Sequence, residues 1–386
     1  MTTVTSLDSP STTNELDAEA RLLLCLAKAR VGSTEIDQAR AIIGDGLRWG
    51  VFLERAARHK VLPLVGRHIA EHGLSRGETG DGTQGIPFAW IYPTVYAGNR
   101  ERNRALADEA MVVTRALERA GIAYAMRKGL ALAETHYRDL GARRINDIDL
   151  LVARDNADAA DTVLRELCFV QGKLAPTNDR IEPFSRATQI FWRTNLTNQL
   201  PYVKLGARVD LPVVNIDLCH ALFQKNVATG DDTATVLGRA TTTALAGGII
   251  RRLEPADEII DLCAHLYKEA TGLMFVEQGI DLQISKFLDV AVAAASLSDR
   301  EWRLVTERTS PEQQRVVFYA LHHAGVLYPE SVPETVLDGL RPENTDYLDV
   351  FGGNDGNPIT WNVPFPERLF VETVPTEGTV SNVPHR

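Results

Sequence analysis

The sequence predicts an α+β protein, with a central unit built on a mixed β-sheet and helical segments before and after it. Two observations carry this prediction. Apolar residues recur at helical spacing in residues 18–76 and again from Pro255 onward. Between these regions, short apolar runs alternate with helical stretches and turn residues, which is typical of an α/β unit.

The N-terminal third is predicted to be helical. Residues 1–18 are polar and form a tail that we expect to be disordered, and residues 19–120 form the helical region. The Gly-rich, polar segment 74–87 predicts a flexible loop within it. A long helix is expected over residues 93–120, because Gly121 follows at the position of a C-terminal cap.

The central α/β unit is predicted over residues 121–225. A strand is expected at residues 122–126, and Lys128-Gly129 introduces a short helix. The runs INDIDLLVA, CFVQG, ATQIFWRTN and VVNIDLCHALF predict further strands. Helical periodicity returns in residues 226–340, a C-terminal helical domain, and residues 341–386 form an irregular tail rich in Pro, Gly and Asn.

Composition narrows the class of protein. The 386 residues are 44% hydrophobic and 24% charged, which is ordinary for a globular protein. A net charge of −10 disfavours a large nucleic-acid interface, although it does not exclude nucleic acid as a partner. No apolar run approaches the roughly 18 residues that span a bilayer, and the N-terminus lacks the pattern of a secretory signal. We therefore expect a cytoplasmic protein without a membrane segment; its oligomeric state stays open.

Two aspartates lie one residue apart in the apolar run RRINDIDLLV. On a strand, Asp147 and Asp149 project from one face, with Cα atoms roughly 6.5–7 Å apart. Taken alone, such a pair is more often a solvated strand edge, and close carboxylates raise each other's pKa. A bound Mg²⁺ ion offsets the repulsion between two such carboxylates. Asp217 in NIDLCH is also isolated between apolar residues. If its strand is the neighbour of the strand that carries Asp147 and Asp149, three carboxylates converge. That is the arrangement that holds two metal ions about 3.5–4 Å apart.

The step from strand to helix at Lys128-Gly129 offers a place for phosphate. Gly129 lets the backbone approach a ligand closely, and the N-terminus of the following helix favours an anion. Lys128 adds a positive charge, unless it is an ordinary surface lysine. Arg143, four residues before Asp147, is placed to reach the same phosphates from the other side.

These motifs together resemble a known family. A Gly-bearing turn between strand and helix, Asp-x-Asp on the next strand and a third Asp on a later strand are similar to the nucleotidyltransferase fold of the polymerase-beta-like superfamily. More narrowly, GIAYAMRKGLALAETHY, RRINDIDLLV and VNIDLCHALF resemble a bacterial group of uncharacterised nucleotidyltransferases. The resemblance covers about residues 20–340 and implies a mixed-sheet nucleotidyltransferase core with helical flanks.

The resemblance implies roles for the acidic residues. Asp147 and Asp149 would bind both of two Mg²⁺ ions, and Asp217 would hold the ion that activates the acceptor hydroxyl. In the narrower group, a His usually stands two residues after the third Asp. Cys219 takes that place here and His220 comes one residue later, so a role for His220 is in doubt.

The resemblance also places the nucleotide phosphates near Gly129. The superfamily usually has Gly or Ser at the next position, where this sequence has Leu130. Because Leu130 offers no hydroxyl, phosphate binding would depend on the backbone, Lys128 or Arg143.

The sequence therefore predicts Mg²⁺-dependent transfer of a nucleoside monophosphate from an NTP to a hydroxyl group, with release of pyrophosphate. The expected acceptor is a small molecule, such as a natural product or an aminoglycoside-like compound. Two alternatives stay open. The same transfer could act on tRNA or on a protein side chain, or the chain could be a degenerate member of the fold that binds a nucleotide or a partner without turnover.

Overall fold

The structure is a computed structural model that describes residues 16–76, 85–225, 227, 232–353, 356, 358–371, 375 and 378–382. Its fold is α+β, with a mixed seven-stranded sheet between N-terminal and C-terminal helices, so the predicted fold class is confirmed. Residues 1–15 of the expected tail and residues 77–84 of the expected loop lie outside the described residues. None of the helices in the described part of the chain is both long enough and apolar enough to cross a membrane.

Five α-helices form the described N-terminal region: α1 (Ala18–Leu26), α2 (Ser33–Gly44), α3 (Trp49–Arg58), α4 (Leu62–Glu71) and α5 (Ile91–Arg119). Asp17 caps α1 by accepting a hydrogen bond from the Ala20 N–H at 2.9 Å. Pro63 falls in the first turn of α4, where its missing N–H breaks no helical hydrogen bond. Gly121 follows α5 with a φ of +71°, a conformation that lets the chain leave the helix toward the sheet.

The central unit alternates helices and strands. Its first part contains β1 (Tyr124–Arg127), α6 (Gly129–Leu132), a π-helical turn (Ala133–Tyr137), β2 (Ile148–Val152) and α7 (Ala157–Glu166). Its second part contains β3 (Val170–Gln171), β4 (Lys173–Leu174), β5 (Ile181–Glu182), α8 (Arg186–Asn195), β6 (Tyr202–Arg208) and β7 (Leu211–Cys219). The chain then adds α9 (Thr233–Gly238), β8 (Thr241–Leu245) and β9 (Gly248–Arg252). The sheet order is β3-β6-β7-β2-β1-β9-β8, with β2 parallel to β7 and β1 parallel to β9.

Two parts of the central unit differ from the sequence prediction. The segment ATQIFWRTN, expected as a strand, forms helix α8, which Ser185 caps by accepting a hydrogen bond from the Thr188 N–H at 3.1 Å. Ile190 and Phe191 of this helix stay exposed and do not enter the sheet. The sheet also extends past residue 225, because β9 pairs with β1 and β8 pairs with β9. The segment 226–340, expected to be helical, thus contributes two strands to the sheet.

Six helices follow the sheet: α10 (Pro255–Thr271), α11 (Leu273–Glu277), α12 (Ile284–Ala294), α13 (Asp299–Glu307), α14 (Pro311–Leu327) and α15 (Glu334–Leu340). Within the tail expected to be irregular, β10 (Val350–Phe351), β11 (Ile359–Trp361) and β12 (Val380–Asn382) form a small antiparallel sheet. Leu369 of the tail is buried, and its carbonyl accepts a hydrogen bond from Arg58 at 3.2 Å. The tail therefore packs against the N-terminal helices.

The two faces of the central sheet have different partners. On one face, alternate residues of β2 pack into a core shared with α5 and α7: Ile148, Leu150 and Val152. On the opposite face, Leu151 joins a small apolar cluster beneath α9. Because successive strand residues point to opposite faces, Asp149 lies on this second face, next to Leu151.

Candidate active site

Three carboxylates meet on the second face of the sheet. β2 and β7 are parallel neighbours, and their register places Asp149 directly opposite Asp217. Asp147 lies one residue before the start of β2, not inside the strand. It is close enough to Asp149 and Asp217 for their charges to raise its pKa. The structure thus brings together the three aspartates that the sequence singled out.

The carboxylates oppose one another's ionisation. Burial raises the pKa of Asp147 to about 7, and the charges of Asp149 and Asp217 act in the same direction. Burial also raises the pKa of Asp217, again with a contribution from the charge of Asp149. A cation bound between these groups would remove the repulsion.

Asp217 and Asp149 are held in different ways. Asn198 donates hydrogen bonds from Nδ2 to both carboxylate oxygens of Asp217, at 3.0 and 2.8 Å. Asp149 is only 4% exposed, and Lys128 Nζ lies 2.8 Å from its Oδ1 without the geometry of a hydrogen bond. Within the part of the chain that the structure describes, this buried oxygen has no hydrogen-bond donor. The charge of Lys128 compensates this oxygen, and its lone pairs stay available to a further ligand.

Lys128 and Gly129 form the turn between β1 and α6. Both residues have positive φ, +45° and +30°, and a Cβ on Gly129 would lie 3.3 Å from Ile145 Cγ2, so a larger residue would crowd the turn. The Lys128 ammonium lies against Asp149 and is 3.4 Å from His265 Nδ1. Burial is the strongest single influence and opposes its charge, but the charges of Asp149, Asp261 and Asp147 together raise the pKa of Lys128 above its usual value. In the structure, Lys128 contacts the carboxylate site, and its contact with phosphate stays a prediction.

Arg143 has a partner that the sequence did not indicate. Its Nε and Nη2 contact the carboxylate of Asp289, in α12, at distances of 2.7 to 3.0 Å. Tyr137 donates its hydroxyl to the same carboxylate at 2.8 Å. A second buried pair joins Arg127, at the end of β1, to Asp261 in α10. These two ion pairs hold α10 and α12 against the site, and the predicted role of Arg143 at phosphates stays a prediction.

Three lysines that the sequence did not single out lie near the site: the charge of Asp147 acts on Lys60, that of Asp217 acts on Lys268, and Lys286 is close enough to Lys60 and Lys268 for their charges to act on it. Lys60 follows α3, Lys268 lies in α10 and Lys286 lies in α12. Burial lowers the pKa of Lys268 and of Lys286, and the charge of Lys128 lowers both further. The charge of Lys60 also acts on Lys286. Lys60, Lys128, Lys268 and Lys286 form a lysine cluster whose members repel one another. No local motif marks the cluster, because its members come from separate elements.

A cavity of about 530 Å³ lies further along the same face of the sheet, and the three aspartates are not part of its wall. Its wall includes Leu151, two residues after Asp149, together with residues 220–225 and parts of α9 and α10. His220 belongs to this wall, and its Nδ1 lies 2.8 Å from the Val152 carbonyl oxygen. That contact requires the proton on Nδ1, and burial lowers the pKa of His220, so Nε2 is a hydrogen-bond acceptor.

Most of the chain matches a known family. Residues 45–329 match the family model described as uncharacterised nucleotidyltransferase. The chain belongs to this nucleotidyltransferase family. The resemblance that the sequence motifs indicated is therefore confirmed. No curated protein matches the chain.

The family match covers the whole candidate active site of this nucleotidyltransferase. It runs from the residues before α3 to the end of α14, so it includes the central unit and the helices that carry the lysine cluster. The small sheet formed by β10, β11 and β12 lies beyond it.

Proposed function

We propose that this nucleotidyltransferase transfers a nucleoside monophosphate from an NTP to a hydroxyl group of a small-molecule acceptor and releases pyrophosphate. The observation that carries the proposal is the register of β2 and β7, which sets Asp149 opposite Asp217 with Asp147 beside them. Reactions of this type depend mainly on positioning and on neutralising charge, and both can be supplied by acids and lysines.

The three aspartates fit Mg²⁺. They offer only oxygen donors, and Asp149 Oδ1 lacks a hydrogen bond, as expected of an atom that receives a metal. Asp147 and Asp149 would hold two Mg²⁺ ions, and Asp217 would hold one of them. When bound, the ions neutralise charge on the phosphates and lower the pKa of the acceptor hydroxyl.

The lysine cluster supports binding of the triphosphate. A polyanion would stabilise four ammonium groups that repel one another, and both the triphosphate and the departing pyrophosphate are polyanions. Lys286 already pairs with Glu269, whereas Lys60 and Lys268 have no ion-pair partner among the described residues. Lys60 and Lys268 are therefore the members of the cluster best placed to bind phosphate.

The cavity beyond the carboxylates supports a small acceptor. Its volume of about 530 Å³ is in the range of small-molecule sites, and it adjoins the strand that carries Asp217. His220 Nε2 can accept a hydrogen bond from an acceptor hydroxyl there. Asp257 in the cavity wall is already paired with Arg239, and the Lys225 ammonium donates to two backbone carbonyls, so the cavity suits a largely neutral, hydroxylated molecule.

In the proposed reaction, an oxygen of the acceptor forms a bond to the α-phosphorus while the bond from that phosphorus to the β-phosphate oxygen breaks. Asp217 would accept the hydroxyl proton, and the hydrogen bonds from Asn198 hold both of its oxygens in place. Lys60 and Lys268 would hold the negative charge of the departing pyrophosphate.

The decisive experiment measures pyrophosphate release with Mg²⁺, each of the four NTPs and a panel of hydroxylated small molecules. Asp149→Asn should abolish release, whereas Asp108→Asn, an exposed aspartate in α5, should leave it unchanged. Labelled NMP on bulk tRNA or on protein would instead favour those acceptors. A wild type that binds Mg²⁺ and NTP without releasing pyrophosphate from any acceptor would favour the degenerate binding module.

A further inference from the structure

A second group of potential metal ligands lies at the C-terminal end of α4. Glu71 and His72 follow His68 by three and four residues, so each lies next to His68 on the helix surface. One ligand atom from each of the three residues lies within 4.8 Å of the others. None of the three belongs to the candidate active site.

His68 has the arrangement of a metal ligand. The residue is 2% exposed, and its Nε2 lies 2.8 Å from the carbonyl oxygen of Lys28, so Nε2 carries the proton and donates it. Its Nδ1 is buried and has no hydrogen-bond partner among the residues that the structure describes. Metal-bound histidines usually ligate with one nitrogen and donate the other N–H to a carbonyl or carboxylate. A bound cation would thus explain why a buried nitrogen is left unpaired.

The charges around this group allow a cation to bind. Because His68 Nε2 donates its proton to the Lys28 carbonyl, the unpartnered Nδ1 has a lone pair that can bind a cation. Arg67 is the neighbouring positive charge. Its guanidinium contacts Asp139 at 2.8 Å and donates to the Ala29 carbonyl at 2.7 Å, so that charge is already compensated. Glu71 is exposed and forms a loose ion pair with Arg67 Nε at 3.7 Å, and one of its carboxylate oxygens already lies within 4.8 Å of a nitrogen of each imidazole.

We propose that His68, Glu71 and His72 bind a divalent transition-metal ion of the zinc class. Two imidazole nitrogens and one carboxylate oxygen are ligands that Zn²⁺ takes, whereas Mg²⁺ prefers oxygen alone. Three protein ligands leave the fourth position to water, so the ion exchanges more readily than in a closed four-ligand site. The bound ion fixes the last turn of α4 and, through the Nε2–H of His68, the backbone at Lys28 between α1 and α2.

The test uses the full-length protein, stripped with a chelator and desalted, with Zn²⁺ alone as the probe. Calorimetric titration should show one ion per chain, and Zn²⁺ should raise the melting temperature. His72→Gln and Glu71→Gln should each weaken Zn²⁺ binding by tenfold or more. The matched control is Glu54→Gln in α3, since Glu54 is also an exposed glutamate beside an arginine four residues away. These changes avoid the buried His68, whose replacement could prevent folding.

Three results would overturn the proposal. The first is a wild type that binds no Zn²⁺, and the second is a His72→Gln variant that binds Zn²⁺ as tightly as the wild type. The third is a double variant, Asp147→Asn with Asp149→Asn, that loses Zn²⁺ binding, because the ion would then belong to the carboxylate site. Retention of one Zn²⁺ in that double variant supports the site on α4. Substitution with Co²⁺ adds a direct check, since its visible absorption reports nitrogen ligation and should disappear in His72→Gln.

Discussion

Replacing Asp147 with asparagine separates two explanations of the crowded carboxylates. If the three aspartates are held together in order to bind a cation, a neutral amide at Asp147 should stabilise the metal-free protein and abolish activity. If Asp147 were a structural hydrogen-bond acceptor, the same change would destabilise the fold. The two side chains have nearly the same shape, so charge is the main difference.

The size of the effect follows from the pKa of Asp147, which burial and the neighbouring carboxylates raise from 3.8 to about 7. Because a tenfold change in proton affinity is worth about 1.4 kcal/mol, ionised Asp147 opposes folding at pH 8 by at most about 4 kcal/mol. Asp147 is half-buried, so solvent screens part of this repulsion, and we expect a gain of roughly 1–3 kcal/mol in Asp147→Asn. An acid whose pKa is higher in the folded state holds its proton longer there. The metal-free wild type should therefore lose stability as the pH rises from about 4 to about 7.

The assay is urea denaturation in chelator at pH 5 and pH 8, repeated with Mg²⁺ at pH 8. Asp147→Asn should exceed the wild type in stability at pH 8, the difference should shrink at pH 5, and Mg²⁺ should stabilise the wild type more than the variant. Asp108→Asn serves as the control for removing an exposed charge. A variant that is less stable than the wild type at pH 8 in chelator would refute the reasoning.

Three further predictions concern groups around the site and in the helical core. Asp261→Asn leaves the guanidinium of Arg127 buried without its counter-charge and should lower the free energy of unfolding by about 3–5 kcal/mol in urea denaturation. The control Asp338→Asn, in an exposed pair, should lower it by less than about 1 kcal/mol. Equal losses in the two variants would contradict the prediction. Lys268→Met should raise the KM for NTP about tenfold with a smaller change in kcat, and an unchanged KM would remove Lys268 from the phosphate site. Burial lowers the pKa of His59 to about 3, so the wild type should lose up to about 1.4 kcal/mol per pH unit as the pH falls below 6.5. His59→Gln should flatten that loss, and parallel stability curves would argue against His59 as its source.

The carboxylates could be predicted from sequence because their signal is local. Asp147 and Asp149 interrupt an apolar run at strand spacing, and Asp217 repeats the pattern. Their convergence could be predicted only on the condition that the two strands are neighbours, since strand pairing is decided by contacts far apart in the chain. The structure meets that condition through the parallel register of β2 and β7.

The remaining features lack a local signal. A lysine on a helix has the same appearance in sequence whether it faces solvent or a phosphate, so Lys60 and Lys268 could not be singled out. Arg143 stays a predicted phosphate partner, and its ion-pair partner Asp289 could not be foreseen because it lies in a distant helix. The strand expected at ATQIFWRTN was wrong because a short apolar run fits a strand or a helix equally well, and the cap at Ser185 decides the outcome.

The helical flanks complete the charge balance of the site, in addition to covering the sheet. The sheet supplies three carboxylates, while three of the four clustered lysines come from the segment after α3 and from α10 and α12. Two buried ion pairs, Arg127 with Asp261 and Arg143 with Asp289, fix α10 and α12 relative to β1 and to the segment before β2. The position of the lysines therefore depends on pairs that touch no phosphate themselves. It follows that a variant of Asp289 should weaken nucleotide binding as well as stability, because α12 packs against α10, the helix that carries Lys268.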